Sequence, residues 1–361
     1  MRFSNGFCAL ASALLLAACA GNPLPPPTAD QPTDTSMINT AYWTAQPYCA
    51  GRVQMRLPAE RRYGSRNQGQ TESYRYNDWQ INHYVDDWRF LNVILTKRRQ
   101  GGFNRYFERS TGHGEGYIGE RELIPGRAFL QFTRKTPMFD GSRLSASLGI
   151  RYDAELIVKL GPNGGFHTDG ELKIPTPGGT EPNNWREQER SLLNKATHEM
   201  RRDLTSRLRE RQPYEVPKHQ GVCIPDGFFA DNGDTPFKGS SRVYFAGQDD
   251  TYIIISHGRN PRGASIANGR NHPDTEGLKG FMQSLTAHAV RQGPRTINGM
   301  PGYEKISRWD GNHYLLRWER ESDHLLVMMP FGTETFDGTK RSQQEIFAIW
   351  DTVLTTLKPV E

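Results

Sequence analysis

Long apolar runs are scarce in this sequence. Its N-terminal apolar run, residues 7–20, is only about 14 residues long, whereas a helix needs roughly 20 such residues to span a bilayer. Arg2 precedes the run and small residues end it, which is the pattern of an export signal. No later run reaches about 18 apolar residues. The sequence therefore predicts an exported chain without a membrane-spanning helix after the signal.

Cysteine is also rare. The chain has four cysteines, and their positions in the sequence predict different fates for them. Cys8 lies inside the signal. The letters LAAC at 16–19 resemble the lipobox of bacterial lipoproteins, in which the cysteine is lipidated and becomes the new N-terminus. We therefore expect residues 1–18 to be removed and Cys19 to carry a lipid anchor in the periplasm. Ala20 favours the inner face of the outer membrane. The alternative is an ordinary cleaved signal with an incidental cysteine.

Cys49 and Cys223 remain in a compartment that oxidises thiols. A disulfide between them is the simplest prediction. The alternative is two separately buried thiols, since free cysteine packs as a small hydrophobe. Neither residue has a second cysteine or a histidine at ligand spacing, so no metal site is predicted.

The sequence also lacks a large excess of either positive or negative charge. The chain has 45 basic and 40 acidic residues, which gives a net charge of +5. The small excess is spread along the chain. A nucleic-acid partner is therefore not expected.

Complete catalytic motifs are missing too. The letters HEMRR at 198–202 begin like the zinc-protease motif, but Arg202 occupies the position of the second histidine ligand. The letters GASIA around Ser265 nearly match a nucleophile elbow, yet a polar loop replaces the strand and helix that such an elbow needs. No phosphate-binding loop occurs. We predict a protein that is not an enzyme and binds no cofactor, with an envelope hydrolase using Ser265 as the competing reading.

What is present indicates two packed domains. Aromatic residues make up 11% of the chain, which argues for folded cores. Residues 19–41 are proline-rich and predict an extended tether. Residues 212–221 contain two prolines and no periodicity, and they read as a linker. The sequence thus predicts two α+β domains at 42–215 and 216–361, each with an antiparallel sheet and a few amphipathic helices.

Periodicity locates the main elements. Apolar residues at helical spacing predict helices from about 86 to the glycines at 101–102, at about 183–212, at about 274–290, and after a capping box that starts at Ser342. Alternating or short apolar segments predict strands. These strands begin near residues 53, 74, 127, 145, 154, 242, 251, 303, 313 and 324.

Two short stretches carry a family resemblance. They are YCAGR at 48–52, which is followed by a predicted strand, and GVCIPDGF at 221–228. This pair on a two-domain α+β chain resembles the type VI secretion lipase immunity proteins, which are cognate to the fourth group of antibacterial lipase effectors. The resemblance implies a periplasmic protein that binds a phospholipase toxin and blocks it, as a monomer or in a 1:1 complex. Pro225 stiffens the loop after the second cysteine and departs from the family pattern.

An inhibitor of this kind needs a complementary surface and no catalytic group. Exposed tyrosine, tryptophan and arginine are the usual anchors of such surfaces. The candidates for contact with the toxin are therefore Arg259, Arg262, Arg270, Tyr76 and Trp79. The alternative function is a structural or adaptor lipoprotein of the envelope.

Overall fold

The computed structural model describes most, but not all, of the 361 residues. No helix in this described part is long and apolar enough to cross a membrane. The described residues are 22–28, 45–58, 61–62, 73–76, 79–84, 96, 106–107, 114–135, 139–140, 143–144, 149–161, 164–180, 182–212, 214–224, 226–233, 235–245, 251–258, 287–309, 312–332 and 338–360.

The described chain contains strands β1 to β22 and the helices α1 and α2. The helices are α1 (Trp185–Arg207) and α2 (Gln343–Leu354). The strands are β1 (Ala45–Ala50), β2 (Val53–Pro58), β3 (Arg61–Arg62), β4 (Ser73–Tyr76), β5 (Trp79–Tyr84), β6 (Tyr106–Phe107), β7 (Gly114–Ile124), β8 (Ala128–Arg134), β9 (Phe139–Asp140), β10 (Arg143–Leu144), β11 (Ile150–Leu160), β12 (Gly164–Ile174), β13 (Leu208–Glu210), β14 (Gly221–Ile224), β15 (Gly227–Ala230), β16 (Phe237–Phe245), β17 (Tyr252–His257), β18 (His288–Ile297), β19 (Met300–Trp309), β20 (His313–Arg320), β21 (Leu325–Phe331) and β22 (Lys358–Pro359).

The chain divides into two compact units that are assembled from separated segments. The first unit comprises Pro47–Gln54, Thr71–Ser241 and Pro359–Glu361. The second unit comprises Met1–Gln46, Met55–Gln70 and Arg242–Lys358. The single boundary between residues 215 and 216 that the sequence suggests stays a prediction.

The first unit is built on an antiparallel sheet with the strand order β4–β5–β12–β11–β8–β7–β6. Its core forms because β8 and β11 bring buried apolar side chains to one face, among them Leu130 and Leu156, and Phe166 of β12 joins them. Helix α1 covers this face and buries Leu193 and Leu204 in the same cluster. At about 25 cal/mol per Å² of apolar surface, this burial is the main force that holds helix and sheet together.

A smaller antiparallel sheet with the order β13–β15–β14 completes the first unit. Strand β13 follows α1 directly, so the chain passes from helix into strand at Leu208. Val222, Ile224 and Phe229 from this small sheet belong to the same core as α1.

The second unit contains antiparallel strands in the order β18–β19–β20–β21–β17. Helix α2 begins where Ser342 accepts a hydrogen bond from the backbone N–H of Glu345, as the capping box predicts. Its buried side chains form one apolar face because they recur every three or four residues. They are Ile346, Ala348, Ile349, Trp350, Val353 and Leu354.

The α+β class fits these antiparallel sheets and the two helices of the described part. Several element predictions need correction. The two strands predicted near residues 145 and 154 are one strand, β11, and its partner β12 was not predicted. Helix α1 ends at Arg207, short of 212, because β13 pairs with β15 from Leu208 onward.

The helix predicted at about 274–290 is wrong at its C-terminal end. Val290 lies in β18, while residues 274–286 lie outside the described part. Strand β18 buries two charged residues, Arg291 and Arg295, besides Ile297. Hydrophobic periodicity gives a weak signal for a strand in which several buried positions are charged.

Candidate protein-interaction site

The two stretches that carry the family resemblance meet in the first unit. A disulfide joins Cys49 of β1 to Cys223 of β14, with their Cα atoms 5.7 Å apart. The backbone N–H of Gly51 donates to the carbonyl of Cys223 at 2.9 Å, and the N–H of Cys223 donates back to Gly51 at 2.7 Å. Both cysteines are buried. The predicted disulfide is confirmed, and the alternative of two separate thiols is wrong.

The disulfide and these two backbone hydrogen bonds form a junction between the two stretches. Side chains of the first stretch, residues 48–52, add further links to it. The guanidinium of Arg52 donates two hydrogen bonds to the carboxylate of Asp231, at 2.7 and 3.0 Å, and a third to the carbonyl of Thr235 at 2.8 Å. A two-pronged bond of this kind fixes geometry as well as charge. The hydroxyl of Tyr48 lies 2.5 Å from that of Ser241. The junction is therefore tied by covalent, ionic and polar links.

Gly221 shows why the second stretch begins with glycine. A Cβ atom at this position would lie 2.2 Å from the carbonyl oxygen of Phe229 and 2.4 Å from the ring of Phe228. No side chain fits there. Close approach of β14 to β15 thus requires glycine, and it brings Phe228 into the small cluster around the disulfide.

An open groove of about 430 Å³ lies between α1 and the large sheet of the first unit. Its apolar lining includes the buried Leu130 and Leu156 and the half-buried Met200. Acidic side chains from β12 and α1 complete the lining, with one arginine, Arg202, beside them. The acidic members are Asp169, Glu171, Glu199 and Asp203.

This groove has the chemistry of a contact surface. An apolar side chain of a partner can cover its floor, and a basic side chain beside it can face the carboxylates. Among the described residues no group of histidine, cysteine and acidic side chains could hold a metal ion. Met200 packs against the apolar core, as the helical stripe predicts, while His198 is exposed on α1.

The second unit contains a buried ionic network, which we define as Arg291, Arg295, Glu304, Asp351 and the indole of Trp350. Arg291 donates to Glu304 at 2.6 and 3.3 Å and to Asp351 at 2.7 and 3.0 Å. Arg295 donates to both carboxylates, and the Trp350 Nε1–H donates to Glu304 at 2.8 Å. The network links β18, β19 and α2 and carries no net charge.

Burial shapes the electrostatics of this network. Burial alone would lower the pKa of Arg291, but hydrogen bonds and charges from Asp351 and Glu304 outweigh it and raise that pKa above its ordinary value. The guanidinium also lies 4.6 Å from the centre of the Phe347 ring. Arg291 therefore stays charged inside the unit, where it depends on its two carboxylate partners.

The structure gives only the strand positions of two predicted contact residues. Tyr76 ends β4 and pairs with Trp79, the first residue of β5, across a hairpin. The remaining predicted residues lie outside the described part of the chain. They are Arg259, Arg262 and Arg270, together with Ser265 and the lipidation site Cys19.

Comparison with known families identifies the C-terminal part of the chain. Residues 215–359 match the model of the family described as "Tle cognate immunity protein 4 C-terminal domain". This part of the chain is similar to that family. The resemblance drawn from the two cysteine stretches is thereby confirmed. The start of the Tle cognate immunity protein 4 match at residue 215 lies beside the predicted domain start at 216.

Solved structures share the fold over most of the chain. The apo structure of the immunity protein TplEi of T6SS from Pseudomonas aeruginosa has a TM-score of 0.60 at 17% identity, and the match covers 91% of this chain and 99% of TplEi. A structure of a Tle4–Tli4 complex matches with a TM-score of 0.56 at 16% identity, covering 88% of this chain and 97% of the matched chain. No curated protein matches the sequence. The fold shared with these solved structures thus extends well beyond residues 215–359.

Proposed function

We propose that this chain is a periplasmic, lipid-anchored immunity protein that binds a type VI secretion phospholipase effector and blocks it without catalysis. The match of residues 215–359 to the Tle cognate immunity protein 4 family is the observation that carries this proposal. The match to a chain of a solved Tle4–Tli4 complex supports binding to a cognate partner protein. The groove between α1 and β12, with its acidic side chains, offers surface to such a partner.

An inhibitor that acts by occupying its target needs a minimum interface area and a minimum affinity. A stable interface buries about 800 Å² on each partner. A protein that protects against a toxin arriving in few copies needs a Kd of about 1 nM, which corresponds to about −12 kcal/mol. Arg259, Arg262, Arg270, Tyr76 and Trp79 are the residues that we propose for this contact.

The test is a titration of the cognate phospholipase with the purified protein. We expect activity to fall linearly and to reach its minimum at one inhibitor per enzyme, because occupancy consumes the inhibitor. An unrelated lipase is the control and should keep its activity. Unchanged activity of the cognate enzyme at excess inhibitor would contradict the proposal and favour an adaptor lipoprotein. Complete inhibition at far less than one molecule of this protein per lipase molecule would indicate that this protein acts as an enzyme.

Lipidation gives a separate prediction for the N-terminus. Growth with a radioactive fatty acid should label the wild-type protein through Cys19, because LAAC at 16–19 resembles the lipobox. Cys19→Ser should remove the label, whereas Cys8→Ser should leave it, since Cys8 departs with the signal. Equal labelling of wild type and Cys19→Ser would show that Cys19 is not the anchor.

A further inference from the structure

Part of the proline-rich segment after Cys19 contacts strand β18 of the second unit, to which the segment itself belongs. The backbone N–H of Leu24 donates to the carbonyl of Val290 at 2.9 Å. The N–H of Gln292 in turn donates to the carbonyl of Leu24 at 2.9 Å. These two bonds form a parallel bridge between Leu24 and Arg291 of β18. The segment that the sequence predicts as a tether therefore touches the folded chain about five residues after Cys19.

The sequence of the segment suits this contact. Residues 23–27 read PLPPP, and proline has no backbone N–H. Leu24 thus carries the only backbone donor of these five residues, and β18 receives it. The Leu24 side chain is 54% exposed, so the backbone makes the attachment. The flanking prolines restrict the free chain in advance, which lowers the entropy lost on docking.

The receiving strand also suits the contact. β18 stands at one end of the described strand order, so in the described part of the chain no further strand of that order pairs with its outer side. Its register with β19 shifts between Ala289 and Arg291, and this bulge leaves Val290 out of the ladder. The carbonyl of Val290 is the group that accepts from Leu24. A Cβ at Gly293 would lie 3.0 Å from Pro26, so glycine leaves room for the segment.

We propose that residues 22–28 form a strap that holds the β18 edge of the second unit close to the membrane. The proposal rests on lipidation of Cys19. Leu24 is five positions after Cys19, and a fully extended chain of that length spans at most about 18 Å. Without the strap, the first residue of β1, Ala45, would be about 26 residues from the lipid, a reach of roughly 90 Å. The strap thus fixes which edge of the protein lies near the bilayer.

The decisive variant is Leu24→Pro, which keeps an extended proline-type chain and removes the single donor. Leu24→Ala is the matched control, because it keeps both backbone bonds and changes only an exposed side chain. In wild type and Leu24→Ala, we expect slow hydrogen exchange at the Gln292 amide. In Leu24→Pro, exchange at this amide should be at least roughly tenfold faster. Thermal unfolding confirms that all three proteins are folded.

A second measurement reads the position at the membrane. Neutron reflectometry of the lipidated full chain on a supported bilayer should show the protein layer close to the headgroups for wild type and Leu24→Ala. Leu24→Pro should increase the gap. Unchanged Gln292 exchange in Leu24→Pro would overturn the strap, and an unchanged gap would overturn its positioning role. A wild-type protein that forms no layer would contradict the lipid anchor itself, while hydrogen exchange would still decide whether the strap exists.

Discussion

Replacing Cys49 and Cys223 together by alanine is expected to lower the free energy of unfolding by up to about 5 kcal/mol. The two residues are 174 positions apart, so their disulfide closes a long loop and removes much of the freedom of the unfolded chain. Native disulfides that are removed from folded domains cost about 2–5 kcal/mol. Chemical denaturation of the oxidised wild type and of the double variant measures this difference directly.

The matched controls are the two single variants. If the cross-link carries the effect, Cys49→Ala and Cys223→Ala should each lose nearly as much stability as the double variant, so their effects should be far from additive. Reductant should destabilise wild type and leave the double variant unchanged. Equal midpoints for oxidised wild type and the double variant would show that the bond does not stabilise the protein.

The disulfide also shows how the sequence and the fold divide the chain differently. The family domain begins at residue 215, yet β14 and β15, which follow that point, belong to the first unit. Val222, Ile224 and Phe229 complete the core beneath α1, and Cys223 bonds to β1. Separating the chain at 215 would expose this core and break the covalent link. The family match and the compact units thus divide the chain at different residues.

Much of the fold could be predicted where burial follows hydrophobicity. The strands β8, β17, β20 and β21 are rich in apolar residues, and this content indicates them. Helix α2 has one apolar face and a capping residue, so its helical periodicity and its cap indicate it. Strand β12 contains Gly164, Gly165 and Gly170 and many polar residues. Its place between β5 and β11 comes from pairing that local sequence does not encode.

The candidate sites also differ in whether the sequence could predict them. The paired cysteines could be predicted because oxidation leaves few choices for two thiols in an exported chain. The groove between α1 and β12 could not, since it depends on how a helix and a strand distant in sequence come together. The buried ionic network could not be predicted from the sequence for a chemical reason. Charged residues normally lie at the surface, and nothing in the letters of β18 indicates that its arginines have carboxylate partners on β19 and α2.

Glu304→Gln is expected to destabilise the second unit by about 3–5 kcal/mol, because it leaves two buried arginines with only one carboxylate. Glu304 is fully buried and accepts hydrogen bonds from Arg291, Arg295 and Trp350. Glutamine keeps nearly the same volume, so the loss reports charge and hydrogen bonding rather than a cavity. Chemical denaturation followed by circular dichroism measures it. The surface variant Asp323→Asn, which breaks the exposed pair with Arg320, should cost at most about 1 kcal/mol.

A charge-balanced variant separates the cost of an unpaired charge from the worth of the network. Arg295→Met combined with Glu304→Gln removes one cation and one anion and leaves Arg291 paired with Asp351. Because burying an uncompensated charge costs more than burying an apolar side chain of similar size, the double variant should be more stable than Glu304→Gln alone. If the two losses simply add, the arginines do not share Glu304 as a counter-charge, and each acts independently on the packing of β18 against α2.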